Sequence, residues 1–178
     1  MVDVKRRKLL ARHLRHLATG QITNDDYEEL VARDVSYGWL PEQYHRSKEY
    51  QSDDPVIPLI LAISWGLYND THQHNLKGEY AITAFATKEI ARFILFLNTD
   101  AEYEWKPIPL HPLRRFSLKE YLLCIATLGQ YYRIATKDMR EQEEAARAEG
   151  DIEFWPFKTR EKYEAALEVV PFLGGTRE

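Results

Sequence analysis

Val56-Ile-Pro-Leu-Ile-Leu-Ala-Ile-Ser-Trp-Gly-Leu-Tyr68 is the stretch on which the fold turns. It is apolar nearly all round, so as a helix it has no face to give to water and belongs inside the protein. Asp53 or Asp54 followed by Pro55 marks its start, since proline occupies a first helical turn without losing a hydrogen bond. The run is shorter than the roughly 20 residues that a bilayer span needs, and Pro58, Ser64, Trp65 and Gly66 interrupt it. It therefore reads as the buried centre of a mainly α fold: one compact domain over residues 1–178, with five or six helices packed around 56–68.

Upstream, Leu10, Leu14 and Leu17 recur at i, i+4, i+7 while Lys5, Lys8, Arg12 and Arg15 take another face, which predicts an amphipathic helix from Val4 to Thr19. Gly20 stops it. Thr23 or Asn24 caps a second helix, whose first turns hold Asp25, Asp26, Glu28 and Glu29 at the positive end of the helix dipole. Residues 4–34 thus form a helical hairpin. Residues 34–54, with Gly38, Pro41, Tyr44 and Tyr50, read as a loop or a short irregular helix wrapping the core.

Downstream, residues 79–86 fit a short strand or the first turns of a helix. From Thr87, Ile90, Phe93, Ile94 and Leu97 define a helical face that ends at Asn98. Pro107, Pro109 and Pro112 make 98–116 an extended connection. Ser117-Leu-Lys-Glu120 is a capping box opening a helix that meets no proline before Gly150, about 50 Å at 1.5 Å per residue. Ile152 and Phe154 suggest a short strand, so a small two-stranded β element is possible. Arg160 to Val170 reads as a last helix with Tyr163, Leu167 and Val170 inward, and residues 172–178 as a disordered tail.

The stretch Leu14-Arg-His-Leu-Ala-Thr-Gly-Gln-Ile-Thr-Asn-Asp-Asp-Tyr-Glu-Glu-Leu30 resembles the short helical module called SHOCT, whose pattern sets Gly-x-Ile-Thr before an acidic turn and an aromatic. It covers about a tenth of the chain. Helix-capping physics accounts for the same residues, and no function is carried over from the resemblance.

The chain is 178 residues long with a formal charge of −4, and 44% of its residues are hydrophobic, which excludes wholesale disorder. The basic N-terminus has no uninterrupted apolar core of the secretory type. It matches a mitochondrial presequence in its arginines but contains no serine. The lone Cys124 sits in an apolar run and suits a reducing compartment. The expected location is the cytoplasm, without membrane association.

Candidate chemistry is sparse. Asp70-Thr-His72-Gln-His74 sets two imidazoles two apart beside a carboxylate, and His13 with His16 forms a second pair, yet no third or fourth ligand follows at a metal-binding spacing. The favoured readings are a solvated polar loop for His72 and His74 and the border of the buried stripe for His13 and His16. No Gly-x-Ser-x-Gly, dinucleotide fingerprint or Walker pattern occurs. Glu102, Glu104, Asp70 and Glu153 supply carboxylates for acid–base work, but among 28 acids such pairs arise by chance. No cofactor is expected.

Aromatic residues are the more unusual feature, at 12% with 4 Trp and 11 Tyr. Trp39-Leu-Pro41, Trp105-Lys-Pro107 and Trp155-Pro156 lie outside the firm helices. Each serves either as a contact surface or as a pin holding a loop to the core. The loop with Glu102, Glu104, Trp105, His111 and Arg114, together with Trp155, His72 and His74, is the candidate binding region.

Residues 1–20 hold six positive charges against Asp3, a net of +5, and residues 21–54 hold nine acids against three bases, a net of −6. Adjacent in the chain, the two sections are expected to pair with each other or across subunits, which disfavours nucleic acid as the target of the basic helix. The reading is a non-enzymatic module that binds another protein or a second copy of itself. The alternatives are a small-molecule binder or enzyme with a pocket near His72, Glu104 and Trp155, and nucleic-acid binding through the basic helix.

Overall fold

The computed structural model describes residues 1–41, 43–105, 119, 125–127, 130, 144–145 and 148–169. The protein is mainly helical. The described helices are α1 (Val4–Ala18), α2 (Asn24–Asp34), α3 (Val56–Trp65), α4 (Ala84–Leu97) and α5 (Arg160–Val169), with short 3₁₀ turns at Tyr44–Arg46, Glu49–Ser52, Gly78–Tyr80 and Ile152–Phe154. None is long and apolar enough to cross a membrane. The proline-rich 106–118 and the tail after Val169 lie outside the described residues, as does almost all of the expected 117–149 helix.

Three helices, α1, α2 and α4, start where side-chain caps place them. The Asp3 carboxylate accepts the Arg6 amide at 3.0 Å, opening α1. Gly20, at φ +62°, turns the chain beyond it in the left-handed region that favours glycine. Thr23 and Asp26 form a reciprocal capping box at the head of α2. Thr83 caps α4 by accepting the Ala86 amide at 3.1 Å.

The core is continuous. Leu10, Leu14 and Leu17 of α1 meet Tyr27 and Val31 of α2, Val56, Ile57, Ile60 and Leu61 of α3, and Ile90, Phe93, Ile94 and Leu97 of α4. Each fully buried Leu or Ile removes apolar surface worth roughly 1.5–3 kcal/mol. A buried hydroxyl pair crosses this core, Tyr27 donating to Ser64 Oγ at 2.7 Å and Ser64 donating to the Leu61 carbonyl at 2.8 Å. Burial pushes the Tyr27 phenol well above its usual range against the opposing pull of that bond.

Three expectations need correction, and one open alternative is decided. α3 is buried as its composition demands but ends at Trp65, and it is α1 that packs against α2, α3 and α4 alike, most extensively against α4. Amphipathic helices share a core through their stripes, and α1 presents the longest one. Second, residues 79–86, open between a short strand and the first turns of a helix, form no strand. A 3₁₀ turn leads through an extended Ala81 into α4, whose helix begins at Ala84 because Thr83 caps it there. Third, Ile152 and Phe154 lie in a 3₁₀ turn, and the isolated pairing of Thr23 with Asn75 is the β contact found among the described residues. Fourth, α5 buries Ala166 and half-buries Tyr163, while Leu167 remains 36% exposed.

Candidate functional site

The histidine loop folds onto the head of α2. Buried Asn24 accepts the His74 amide at 2.7 Å through its side chain, donates its Nδ2 to the His72 carbonyl at 3.2 Å, and gives its own amide to the His74 carbonyl at 3.0 Å. The His72 and His74 rings lie 5.0 Å apart, and both pack on Tyr80, at 5.4 and 4.4 Å between centroids. His72 Nε2 bonds the Tyr80 hydroxyl and its Nδ1 the Thr71 hydroxyl, both at 3.1 Å, while His74 Nδ1 meets the His72 carbonyl at 2.9 Å. Both nitrogens of His72 are thus engaged within the loop. Among the described residues no three His, Cys, Asp or Glu side chains gather as a metal site requires.

The Glu102–Trp105 strand of loop and the Ile152–Phe157 turn pack on each other instead of opening to a ligand. Trp105 is 4% exposed and shares its indole N–H between the Pro156 and Phe157 carbonyls, each at 3.2 Å. Trp155 is 9% exposed, stands edge-on to Phe93 at 5.1 Å, and donates to the Tyr103 hydroxyl at 2.9 Å. Burial raises the Tyr103 phenol to about 12, offset in part by that bond. A Cβ on Gly150 would stand 2.5 Å from the Lys158 carbonyl oxygen and 3.2 Å from the Trp105 ring, so only glycine permits this closeness. Both tryptophans are pins, and their ring faces are spent on the core. Of the remaining candidates, Glu104 pairs with Lys162 of α5 on the surface, Glu102 is exposed, and His111 and Arg114 lie outside the described residues. The contacts of the histidine loop and those of Glu104 run to different partners, so none of these interactions joins them into one site.

The basic segment divides in two. Arg6 and Arg7 are buried, whereas Lys5, Lys8, Arg12 and Arg15 are exposed. Arg6 spends every N–H on the protein: Nε to the Val35 carbonyl at 2.7 Å, Nη1 to Tyr37 at 2.9 Å and Asp53 Oδ1 at 2.5 Å, Nη2 to Tyr44 at 3.2 Å and Asp53 Oδ2 at 2.9 Å. Burial opposes its charge, but the bonds and proximity to Asp53 and Tyr44 outweigh that and hold its pKa above the ordinary value. Arg7 makes a bidentate pair with Asp54 at 2.6 and 2.9 Å and donates to the Ala101 carbonyl at 2.7 Å. The predicted charge pairing is internal for Arg6 with Asp53 and Arg7 with Asp54, while His13 gives a hydrogen bond to Asp34 at 2.9 Å. The arginines, however, reach past α2 to the acids just before α3.

This pairing organises the 35–54 loop. Tyr44, 1% exposed, donates to Asp53, and burial together with that carboxylate raises its phenol above the usual range. Tyr37 has φ +55°, a left-handed conformation that costs a bulky residue on the order of 1–3 kcal/mol. The Arg6 guanidinium, 4.3 Å over its ring and bonded to its hydroxyl, keeps it there. Tyr37, Trp39, Leu40 and Tyr50 emerge from this base 57%, 37%, 37% and 38% exposed. Of the three tryptophans set beside prolines, Trp39 is the exposed one. Its neighbours Tyr37 and Tyr50 are not separable from core aromatics by sequence, because Tyr37 is held by distant Arg6 and Tyr50 stands edge-on to Tyr44 at 6.1 Å.

No family model, curated protein or solved structure matches this chain.

Proposed function

We propose that the protein is a non-enzymatic protein–protein interaction module that contacts its partner through Tyr37, Trp39, Leu40 and Tyr50. What carries this reading is exposure combined with rigidity. Four large apolar or aromatic side chains face solvent on a loop whose base is hydrogen-bonded throughout to a buried arginine. Aromatic anchors of this kind contribute much contact area while few torsions remain to be frozen on binding. Backbone strain at Tyr37 supports it further, since strain persists at positions where the side chain has a task.

The test uses the full-length protein as bait, compared with a W39A/Y50A variant whose thermal unfolding is unchanged. A defined set of proteins retained by the wild type and lost from the variant supports the reading. Identical recovery by both refutes it.

A further inference from the structure

The exposed cations of α1 form a ladder. Lys5, Lys8, Arg12 and Arg15 stand at i, i+3, i+7 and i+10, all exposed. At 100° per residue they fall within an arc of about 80° opposite Leu10, Leu14 and Leu17. Among the described residues none of the four takes part in an ion pair. The protein also carries the complement. On α5, Glu161, Glu164 and Glu168 stand at i, i+3, i+7 within an arc of about 60°, all exposed. That helix buries only Ala166, and Val169 is 82% exposed, so among the described residues nothing covers its outward side.

We propose that α1 of one copy docks antiparallel on α5 of a second copy, setting Lys8 against Glu168, Arg12 against Glu164 and Arg15 against Glu161. Read from opposite ends, both rows step by four and then by three residues, so three pairs form in one register. The antiparallel sense also opposes the helix dipoles. Glu164 already meets Arg160 at 2.7 Å, but that pair is exposed and local, and exchanging it costs little. Each copy presents one basic and one acidic row, so the contact is either closed into a symmetric pair or continued head to tail. It involves neither Trp39 nor Tyr50, and its failure leaves the proposed partner surface untouched.

Sedimentation equilibrium of the full chain tests this with the wild type, K8E/R12E, E164K/E168K and an equimolar mixture of the two variants. The wild type is expected to exceed the 21.0 kDa monomer at about 0.01 M salt and to approach it at about 1 M, where charges are screened beyond roughly 3 Å. Each variant alone places like charges opposite one another and stays monomeric. The mixture regains association because each reversed row then faces its complement. A wild type at 21.0 kDa at every concentration in low salt overturns the proposal, as does a mixture that stays monomeric. A monomeric wild type whose α1 row instead retains heparin or acidic vesicles, with loss in K8E/R12E, overturns it too.

Discussion

Removing the Asp54 carboxylate is expected to be among the most damaging single changes to this protein. The side chains of Arg7 and Asp54 are both fully buried. In D54A the Arg7 guanidinium would keep its Ala101 carbonyl bond and its position 5.1 Å over the Phe96 ring, but no counter-charge. The Asp3 amide, which donates to Asp54 at 2.8 Å, and the Val56 amide at 3.4 Å would lose their acceptor as well. Breaking a buried pair by deleting one partner costs about 3–5 kcal/mol, most of it the penalty on the charge left behind. That is a large part of the 5–15 kcal/mol that typically separates folded from unfolded states. At about 2–4 °C per kcal/mol for a chain of this size, the melting temperature should fall by roughly 6–20 °C. Guanidinium unfolding of wild type, D54A, R7M and R7M/D54A closes a double-mutant cycle. The double variant should be clearly more stable than the sum of the single losses implies, because no unpaired charge remains. A D54A loss below about 1 kcal/mol, or strict additivity, would refute the argument that this pair is buried and coupled.

Two further outcomes follow from the same contacts. His13 is 2% exposed, gives Nε2–H to Asp34 and leaves Nδ1 without a partner, so protonation would bury an unpaired N–H. Burial first, then Arg12 and His16 nearby, outweigh the Asp34 bond and lower its pKa below the ordinary 6.5, while Arg33 and then His13 hold Asp34 itself at about 2. The unfolded chain therefore takes up the proton first. The stability due to neutral His13 is complete above pH 6.5 and is lost as the pH falls towards its folded pKa. Melting temperatures of wild type and H13Q between neutral and mildly acidic pH should converge as the pH drops, and parallel curves would contradict this. Trp105→Ala should cost about 3–5 kcal/mol in chemical denaturation, against about 0.5 kcal/mol or less for Trp39→Ala, and similar losses at the two sites would contradict the different burial assigned to them.

Helix positions were legible along the chain because caps and stripes are local signals. Gly20, Thr23 and the leucines of α1 place α1 and α2 to within a residue or two of where they lie, and the structure adds Asp3 as the cap of α1. The start of α4 stays open between 79 and 87 in the sequence because Tyr80, Ile82 and Ala84 alternate as a strand would, whereas the Thr83 hydroxyl decides for helix. The candidate site was less legible. Trp39, Trp105 and Trp155 each precede a proline, by one or two positions, and look alike in one dimension. Two of them became pins only because residues 103–105 and 155–157, some fifty positions apart, meet and satisfy their indole N–H groups.

Charge shows the same division. Composition and order alone established a +5 segment followed by a −6 segment, a helical hairpin and an apolar helix that must be buried, since these depend on periodicity and on neighbours in the chain. Which cations are consumed inside and which stay free was settled by packing. Arg6 and Arg7 lie on the side of α1 that turns inward, within reach of Asp53 and Asp54 where the chain enters α3, and Lys5, Lys8, Arg12 and Arg15 lie on the side that does not. Contacts between residues 47 positions apart leave no local trace, because a buried arginine and an exposed one have the same composition and the same helix propensity.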